Sequence, residues 1–382
     1  MKKVVEGAFR AACARVDLAA RVRAALGDGG PYVVIAAGKA AAAMASGVEN
    51  VERSLVIVPR GAPRGTSENV MEASHPLPDE SSLRAAEAAL EMAACDSPHE
   101  RLFLISGGAS ALLCAPCEGL TLGRKREIAD VLLRADAPID EVNLVRRHLS
   151  RIKGGALAAA CGDRARRTLV VSDVLSNALE TIGSGPTVRD PSTVEQARAV
   201  AARRNLGDLP FVETWKNEER VELLATPLTF AEIVAEELSS RGVRARASAA
   251  AAPLDVEQTA ARYTLLLSAM PRGEAAVIAA EPFVSIPTDR QSKGHARGGR
   301  CTHLAALMST RLPERAVFAA IASDGVDGAS GTGGAIVDGP ITGVAGALDV
   351  FATGPLHIDA GTALPSAPTG LNFADVHVLL RA

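Results

Sequence analysis

Four aliphatic runs of the sequence end in small residues combined with one chemically useful side chain. These ends are Gly38-Lys39, residues 106–110, Ser172-Asp173 and residues 323–328. Open parallel sheets bind ligands at the carboxyl ends of their strands, so we expect the functional site to lie at these segments. Glycines in such turns let the backbone approach a ligand, and amides at the start of a helix favour phosphate or carboxylate. The residues of this kind in the second segment are Ser106, Gly107, Gly108 and Ser110.

Lys39 and three aspartates carry the charge at these strand ends. A lysine there can contact a transferring phosphoryl group and offset the charge that develops in the transition state. A lysine with no function would be electrostatically unfavourable there, because the following helix has the positive end of its dipole at that point. This favours a functional role for Lys39. Asp173, Asp324 and Asp327 could hold Mg²⁺ or accept a hydroxyl proton, or they could cap the next helices.

Two cationic segments add further candidates for anion binding. Arg146 and Lys153 lie seven residues apart in the basic run 143–155 and would share a face if that run were helical. The alternative is a solvated helix surface. Lys293, Gly298 and Gly299 belong to a glycine-rich cationic stretch before a helix, which could bind phosphate or could be a mobile basic loop.

Several function classes lose support from what the sequence lacks. It contains neither the GxxxxGK[ST] loop of P-loop proteins nor the GxGxxG fingerprint of dinucleotide binding, and its net charge is −3. Cys114 and Cys117 have the spacing of a redox motif, but no second such pair completes a zinc site. His295, Cys301 and His303 likewise have no fourth ligand at a standard zinc spacing. Charges throughout residues 1–26 argue against a signal peptide or membrane span, so we expect a cytoplasmic protein.

The length and the aliphatic alternation predict the architecture. A chain of 382 residues exceeds the usual size of one core, and we expect two domains, residues 1–210 and 218–382. Strand-like runs alternate with helical stretches, which indicates an α/β fold with a doubly wound, mainly parallel sheet in the first domain and a smaller α/β second domain. Residues 1–26 predict an amphipathic helix on the first domain.

The elements follow from the periodicity and from local capping signals. We expect Asp79 or Ser81 to cap a helix that runs to about residue 94. The predicted strands are 32–36, 54–58, 68–72, 101–105, 168–171, 221–225, 245–251, 275–280, 316–322 and 376–380. The predicted helices are 40–46, 81–94, 122–134, 139–151, 230–241, 256–270 and 304–309.

Seven sequence blocks resemble one enzyme family. They are AAGKAAAAMA (36–45), HPLPDE (75–80), ISGGASALL (105–113), NLVRRHLSRIKGG (143–155), VVSDV (170–174), GSGPTVRDPST (183–193) and SDGVDG (323–328). Their order and spacing resemble the glycerate 2-kinases with a MOFRL-type C-terminal domain, which are often misnamed hydroxypyruvate reductases.

The resemblance implies a soluble kinase that binds a small hydroxy acid and neither nucleic acid nor membrane, with a homodimer as one candidate assembly. Its active site would lie in a cleft between the two domains, where ATP and Mg²⁺ serve transfer of the γ-phosphoryl group to the 2-hydroxyl of D-glycerate. The residues implied in catalysis are Lys39, Asp173 and Arg300. Those implied in substrate or phosphate binding are Ser106, Gly107, Gly108, Ser110, Arg146 and Lys153. Those implied in nucleotide binding are Lys293, Gly298, Gly299, Asp324 and Asn372, and the implied metal ligands are Asp173, Glu281 and Asp324.

The C-terminal half departs from the family pattern. The chain reads AAEP at 279–282 where the family has GGE, and GGRCTH at 298–303 where it has GGRNQE. Replacing Asn, Gln and Glu changes the hydrogen-bonding capacity of that segment. Two alternatives therefore stand beside a glycerate kinase: a kinase of a different small hydroxy acid, and a ligand-binding relative without turnover. An NAD-dependent reductase is disfavoured by the missing dinucleotide fingerprint.

Overall fold

The computed structural model describes residues 1–134, 137–286 and 297–382. The chain divides into two compact units. The first unit is Asp17–Leu224, and the second unit combines Met1–Val16 with Ala225–Ala382.

The first unit is built around a six-stranded sheet. Its strands are β1 (Tyr32–Ala37), β2 (Val51–Pro59), β3 (Val70–Ala73), β4 (Glu100–Ser106), β5 (Arg166–Val171) and β6 (Val221–Ala225). They lie in the order β3-β2-β1-β4-β5-β6, and the pairs from β3 through β5 are parallel. This is the strand order of a doubly wound fold, whose ligand-binding switch point falls between β1 and β4. Every residue of β1 is buried, as expected for a central strand covered on both faces.

Helices of the first unit cover this sheet or extend from its edges. They are α2 (Leu18–Leu26), α3 (Ala41–Ala45), α4 (Glu80–Ala94), α5 (Ala109–Leu112), α6 (Leu122–Arg134), α7 (Ile139–His148), α8 (Ala156–Ala159) and α9 (Val194–Arg203). Asp79 caps α4 as predicted, because its carboxylate accepts the Ser81 amide at 2.8 Å. The small side chains of α4 pack against Ile35 and Phe103 in the core of the unit.

The second unit contains a six-stranded mixed sheet. Its strands are β7 (Arg244–Ala249), β8 (Glu274–Ala280), β9 (Ala316–Ile321), β10 (Thr332–Val337), β11 (Ala363–Pro365) and β12 (Asp375–Arg381). They lie in the order β11-β10-β9-β12-β8-β7, where only β7 and β8 are parallel neighbours. Its described helices are α1 (Lys2–Arg15), α10 (Pro227–Ser239), α11 (Val256–Ala269), α12 (Arg300–Ser309), α13 (Val344–Asp349) and α14 (Thr353–Asp359).

The division of the chain differs from the predicted boundaries at two places. Helix α1 packs in the second unit, where the ring of Phe9 meets that of Phe230 edge to face at 5.9 Å between centroids. Residues 211–224 remain with the first unit, because β6 completes its sheet and the Trp215 amide bonds to the Gly154 carbonyl at 2.9 Å. Neither association is visible in local periodicity. Among the described residues, no helix is long and apolar enough to cross a membrane.

Candidate functional site

The loops after β1 and β4 are bonded to each other at the switch point of the first unit. The Lys39 amide donates to the Gly107 carbonyl at 2.9 Å, and the Ala40 amide donates to Ser106 Oγ at 3.1 Å. A Cβ added at Gly38 would lie 2.0 Å from Ser106 Oγ, so this close approach requires glycine. The fold therefore brings two of the predicted segments together.

The Cγ of Lys39 and the ring of His75 lie next to Gly108. A Cβ placed on Gly108 would lie 3.3 Å from both Lys39 Cγ and His75 Cδ2. Gly108 also has a left-handed φ of 87°, which favours glycine. The helix that follows, α5, has only four residues. Gly108 therefore leaves room for the lysine stem.

Ser110 lies at the centre of a group of polar side chains from three separate segments. Its Oγ accepts a hydrogen bond from Arg146 Nη2 at 2.8 Å and from Lys153 Nζ at 3.0 Å. Ser184 Oγ lies 2.8 Å from the same atom. Lys153 Nζ also donates to the carbonyls of Ser110 and Leu113, at 2.6 and 3.1 Å. Ser184 was missed by the sequence analysis, although its loop belongs to the GSGPT block.

Three basic side chains, Arg146, Lys153 and Lys125, lie close to one another beside Ser110. Lys153 is 1% exposed, and burial, with Arg146 nearby, lowers the pKa of its amine well below the usual value. Lys125 lies buried behind Arg146, whose carbonyl it bonds, and burial lowers the pKa of Lys125 to about 8. Within the described ranges, none of these three side chains forms an ion pair with a carboxylate. Such a cluster suits an anionic ligand, because a bound anion would favour the protonated forms of the buried amines.

Arg146 and Lys153 were predicted to share one helix face, and this prediction is wrong. Helix α7 ends at His148, whose ring nitrogens contact the Val212 carbonyl and Ser192 Oγ. Lys153 follows in an irregular segment and reaches Ser110 from there. A solvated helix surface is excluded for Lys153 by its burial. Cys114 and Cys117 of the redox-like spacing are both free, buried thiols.

Asp173 lies at the same edge of the first sheet. Val171 is the register partner of Ser106, so Asp173 follows β5 at the level where Gly108 follows β4. Its side chain is partly buried. This position places a carboxylate on the ligand-binding edge of the sheet.

Arg300 lies in the second unit at the first residue of α12 and bonds two carboxylates. Its Nε and Nη2 donate to the two oxygens of Asp375 at 2.5 and 3.1 Å, and its Nη1 donates to Glu281 at 2.6 Å. Burial raises the pKa of Asp375 to about 6. Asp375 was not predicted as a site residue, because an aspartate at the start of a strand gives no local signal that it will pair with Arg300.

Close packing requires glycine at positions 298 and 299, just before α12. A Cβ on Gly299 would lie 2.2 Å from Asp327 Oδ1, and one on Gly298 would lie 2.7 Å from the Phe351 carbonyl. Asp327 accepts the amides of Cys301 and Thr302 at 3.0 and 2.9 Å, so a carboxylate of this chain caps the helix. The sequence had suggested a cap of the next helix, whereas Asp327 caps a helix that precedes it in the chain. Lys293 lies outside the described residues.

Carboxylates collect at one edge of the second sheet. Asp375 is the register partner of Ala280, so Glu281 and Asp375 lie at the same edge, and Asp324 follows β9 there. Asp324 Oδ1 accepts the Val326 amide at 3.0 Å, and Asn372 is buried nearby in sequence before β12. Oxygen atoms of Glu281 and Asp324 suit a hard cation such as Mg²⁺.

The first unit is thus a doubly wound α/β domain with a cluster of basic side chains at the edge of the sheet where such folds bind their ligands. Comparison with family models places DUF4147, a domain of unknown function, on residues 2–213 and the MOFRL family on residues 274–373.

Curated relatives and solved structures agree with these matches. A putative hydroxypyruvate reductase of Agrobacterium vitis is 35% identical over 92% of this chain and 87% of its own length. A D-glycerate 2-kinase of Thermotoga maritima is 29% identical over 90% of this chain and 89% of its own length. A glycerate 2-kinase of Pyrococcus horikoshii is 41% identical over 45% of this chain and 40% of its own length. The crystal structure of a glycerate kinase from Thermotoga maritima matches the fold with a TM-score of 0.86 at 24% identity, covering 100% of this chain and 99% of that one.

The chain belongs to the glycerate 2-kinase family with DUF4147 and MOFRL domains, and its kinase relatives support a phosphotransferase that acts on an alcohol group. The resemblance drawn from the seven sequence blocks is confirmed, as is the two-domain α/β fold.

Proposed function

We propose that this protein is an ATP-dependent kinase that phosphorylates the 2-hydroxyl of D-glycerate. The observation that carries the proposal is the position of Lys39 at the switch point, with its amide bonded to Gly107 and its Cγ beside Gly108. The nearby group of Ser110, Arg146 and Lys153 offers a site for a small anion. Both features suit a substrate that carries a carboxylate and accepts a phosphoryl group.

The chain's own residues would then have distinct roles. The Lys39 ammonium would offset the charge that spreads over the transferring phosphoryl oxygens. Arg146 and the Ser110 hydroxyl would bind the carboxylate, since Arg146 already donates toward that hydroxyl. Lys153 would hold the loop in shape through the Ser110 and Leu113 carbonyls. Asp173 would orient the 2-hydroxyl or accept its proton.

The second unit offers the groups for the nucleotide and for Mg²⁺. Glu281 and Asp324 have the oxygen donors that Mg²⁺ prefers. The carboxylate of Asp173 on the first unit is of the same chemical type. When bound, Mg²⁺ would neutralise charge on the phosphates. We propose that Gly298, Gly299, Asp324 and Asn372 line the nucleotide site. Asp375 and Glu281 hold the guanidinium of Arg300 in place, and this group remains partly exposed.

The test is the identity of the product. Protein incubated with Mg-ATP and D-glycerate is analysed by ³¹P–¹H correlation NMR, with L-glycerate and other small 2-hydroxy acids as parallel substrates. A cross-peak between phosphorus and the C2 proton supports the proposal. Phosphate on C3 would contradict the assigned hydroxyl, and product from another acid alone would assign a different substrate.

Two further results would move the protein out of the proposed class. Absence of product with every acid, from protein that is folded by circular dichroism, would indicate the ligand-binding relative. Oxidation of NADH with hydroxypyruvate would support the reductase named for some relatives.

A further inference from the structure

Three buried side chains of metal-binding type meet beneath helix α12. Cys301 is in the first turn of α12, while Asp375 and His377 are on β12. One possible ligand atom from each lies within 4.8 Å of the other two. The exposed fractions are 0% for Cys301, 2% for Asp375 and 0% for His377. Cys301 stands where the family pattern GGRNQE has Asn, so the thiol belongs to one of the departures of this chain.

The strand geometry aims both β12 residues at the helix. Asp375 and His377 are two residues apart on β12, so their side chains point to the same face of the sheet. Leu379 continues that face and belongs to the same core cluster as Cys301 and Leu304 of α12. The thiol, carboxylate and imidazole therefore approach one another within the core of the second unit.

His377 has a ring nitrogen that is left without a hydrogen bond. Its Nδ1 lies 2.9 Å from Tyr263 Oη, whereas its buried Nε2 has no partner among the described residues. A buried polar atom left without a hydrogen bond destabilises the fold, so such an atom calls for a ligand. Burial lowers the pKa of His377 to about 3, which keeps the ring neutral. If Nδ1–H donates to the tyrosine oxygen, Nε2 presents a lone pair, as in metal-bound histidines with a second hydrogen-bond partner.

We propose that Cys301, Asp375 and His377 bind one Zn²⁺ ion. Thiolate, imidazole and carboxylate are the ligands that zinc takes in proteins, whereas Mg²⁺ avoids sulfur. Asp375 has two oxygens and can give one to zinc while the other keeps its bond to Arg300. Two more carboxylates lie near the three proposed ligands. Glu281 accepts a hydrogen bond from Arg300, and Asp327 accepts one from the Cys301 amide.

Metal binding replaces the S–H bond of Cys301 with a sulfur–metal bond and releases one proton. Burial raises the pKa of the Cys301 thiol well above its usual value, so the sulfur holds its proton in the absence of metal. On binding, the S–H bond breaks, the sulfur–metal bond forms and the proton leaves to solvent. His377 is already neutral and releases none. No electron is transferred, and the inference is independent of the proposed kinase activity.

The test is titration of the metal-free full-length protein with Co²⁺, which replaces zinc and reports its ligands by absorption. We expect a thiolate-to-cobalt charge-transfer band that saturates at one ion per chain. Cys301→Ser should abolish this band, and His377→Gln should weaken Co²⁺ binding by at least tenfold. Cys161→Ser and His303→Gln change a buried cysteine and a histidine outside the trio and should leave the titration unchanged.

A second measurement covers the case in which the core variants do not fold. Zn²⁺ should raise the melting temperature of the wild-type protein, because a ligand that binds only the folded state stabilises it. The wild type should also release about one proton per Co²⁺ bound, as metal binding to a thiol requires. A charge-transfer band that persists in Cys301→Ser, or a wild type that shows no such band, overturns the proposal.

Discussion

Arg146 and Arg147 are neighbours on α7 with opposite electrostatic surroundings. Arg147 Nε lies 2.9 Å from Asp190 Oδ2, and the Asp190 side chain is fully buried. Arg146 Nη2 donates instead to the hydroxyl of Ser110, close to the buried amine of Lys153. The first arginine is therefore placed to bind an anion, and the second is part of the fold.

This contrast gives a paired prediction. Arg146→Gln should raise KM for the hydroxy acid about 10- to 100-fold, because a charge-assisted hydrogen bond of about 1.5–3 kcal/mol is lost. Its free energy of unfolding should change little. Arg147→Gln should lower that free energy by about 3–5 kcal/mol, because Asp190 is left buried without its ion-pair partner. Steady-state kinetics and urea denaturation of both variants check the pair. Exchanged effects, with Arg147→Gln stable and Arg146→Gln unfolded, would refute the assignment.

Gly108 and Gly119 permit a matched test of the space needed by Lys39. Both have a left-handed φ, 87° and 78°, but only Gly108 has neighbours where a Cβ would go. Each alanine variant should lose about 1–2 kcal/mol of stability from backbone strain. Only Gly108→Ala should also lower kcat, by tenfold or more, since the added methyl group presses on the Lys39 stem. Similar kcat values in the two variants would show that the contact does not matter.

Lys125 should make stability depend on pH. Its folded pKa is lowered from 10.5 to about 8, mainly by burial. Between these values the unfolded chain binds the proton and the folded chain does not, so the free energy of unfolding rises as pH increases from 8 to 10.5. The rise is at most about 3 kcal/mol.

The measurement is urea denaturation at pH 7.5 and 9.5. Lys125→Met should show a smaller rise between these values than the wild type. Lys3→Met, at an exposed position of α1, serves as the control and should follow the wild type. Parallel curves for Lys125→Met and the wild type would contradict the buried-amine interpretation.

Strand ends and helix caps were predictable because their signals are local. The first sheet follows from aliphatic runs separated by helices, and the Asp79 cap follows from its position before an apolar periodicity. Strand β10 was missed since two glycines break its pattern. Gly334 is glycine for a tertiary reason, because a Cβ there would lie 2.2 Å from the Ala320 carbonyl.

Long-range pairings account for what the sequence did not predict. The placement of β12 between β8 and β9 brings Asp375 to Arg300, 75 residues away in the chain. Ser184 reaches Ser110 across 74 residues, and Lys153 does so across 43. Individual motifs indicated which residue types are available, but only the folded chain determines which of them meet.

The most direct test of the kinase proposal is D-glycerate-dependent release of ADP from Mg-ATP by wild type, Lys39→Ala and Lys3→Ala. We expect the wild type and Lys3→Ala to release ADP at equal rates, and Lys39→Ala to be slower by about 10²–10³-fold, the usual effect of removing one group that stabilises transition-state charge. All three should have the same circular dichroism spectrum. Equal rates in Lys39→Ala and the wild type, or no dependence on D-glycerate in the wild type, would contradict the account.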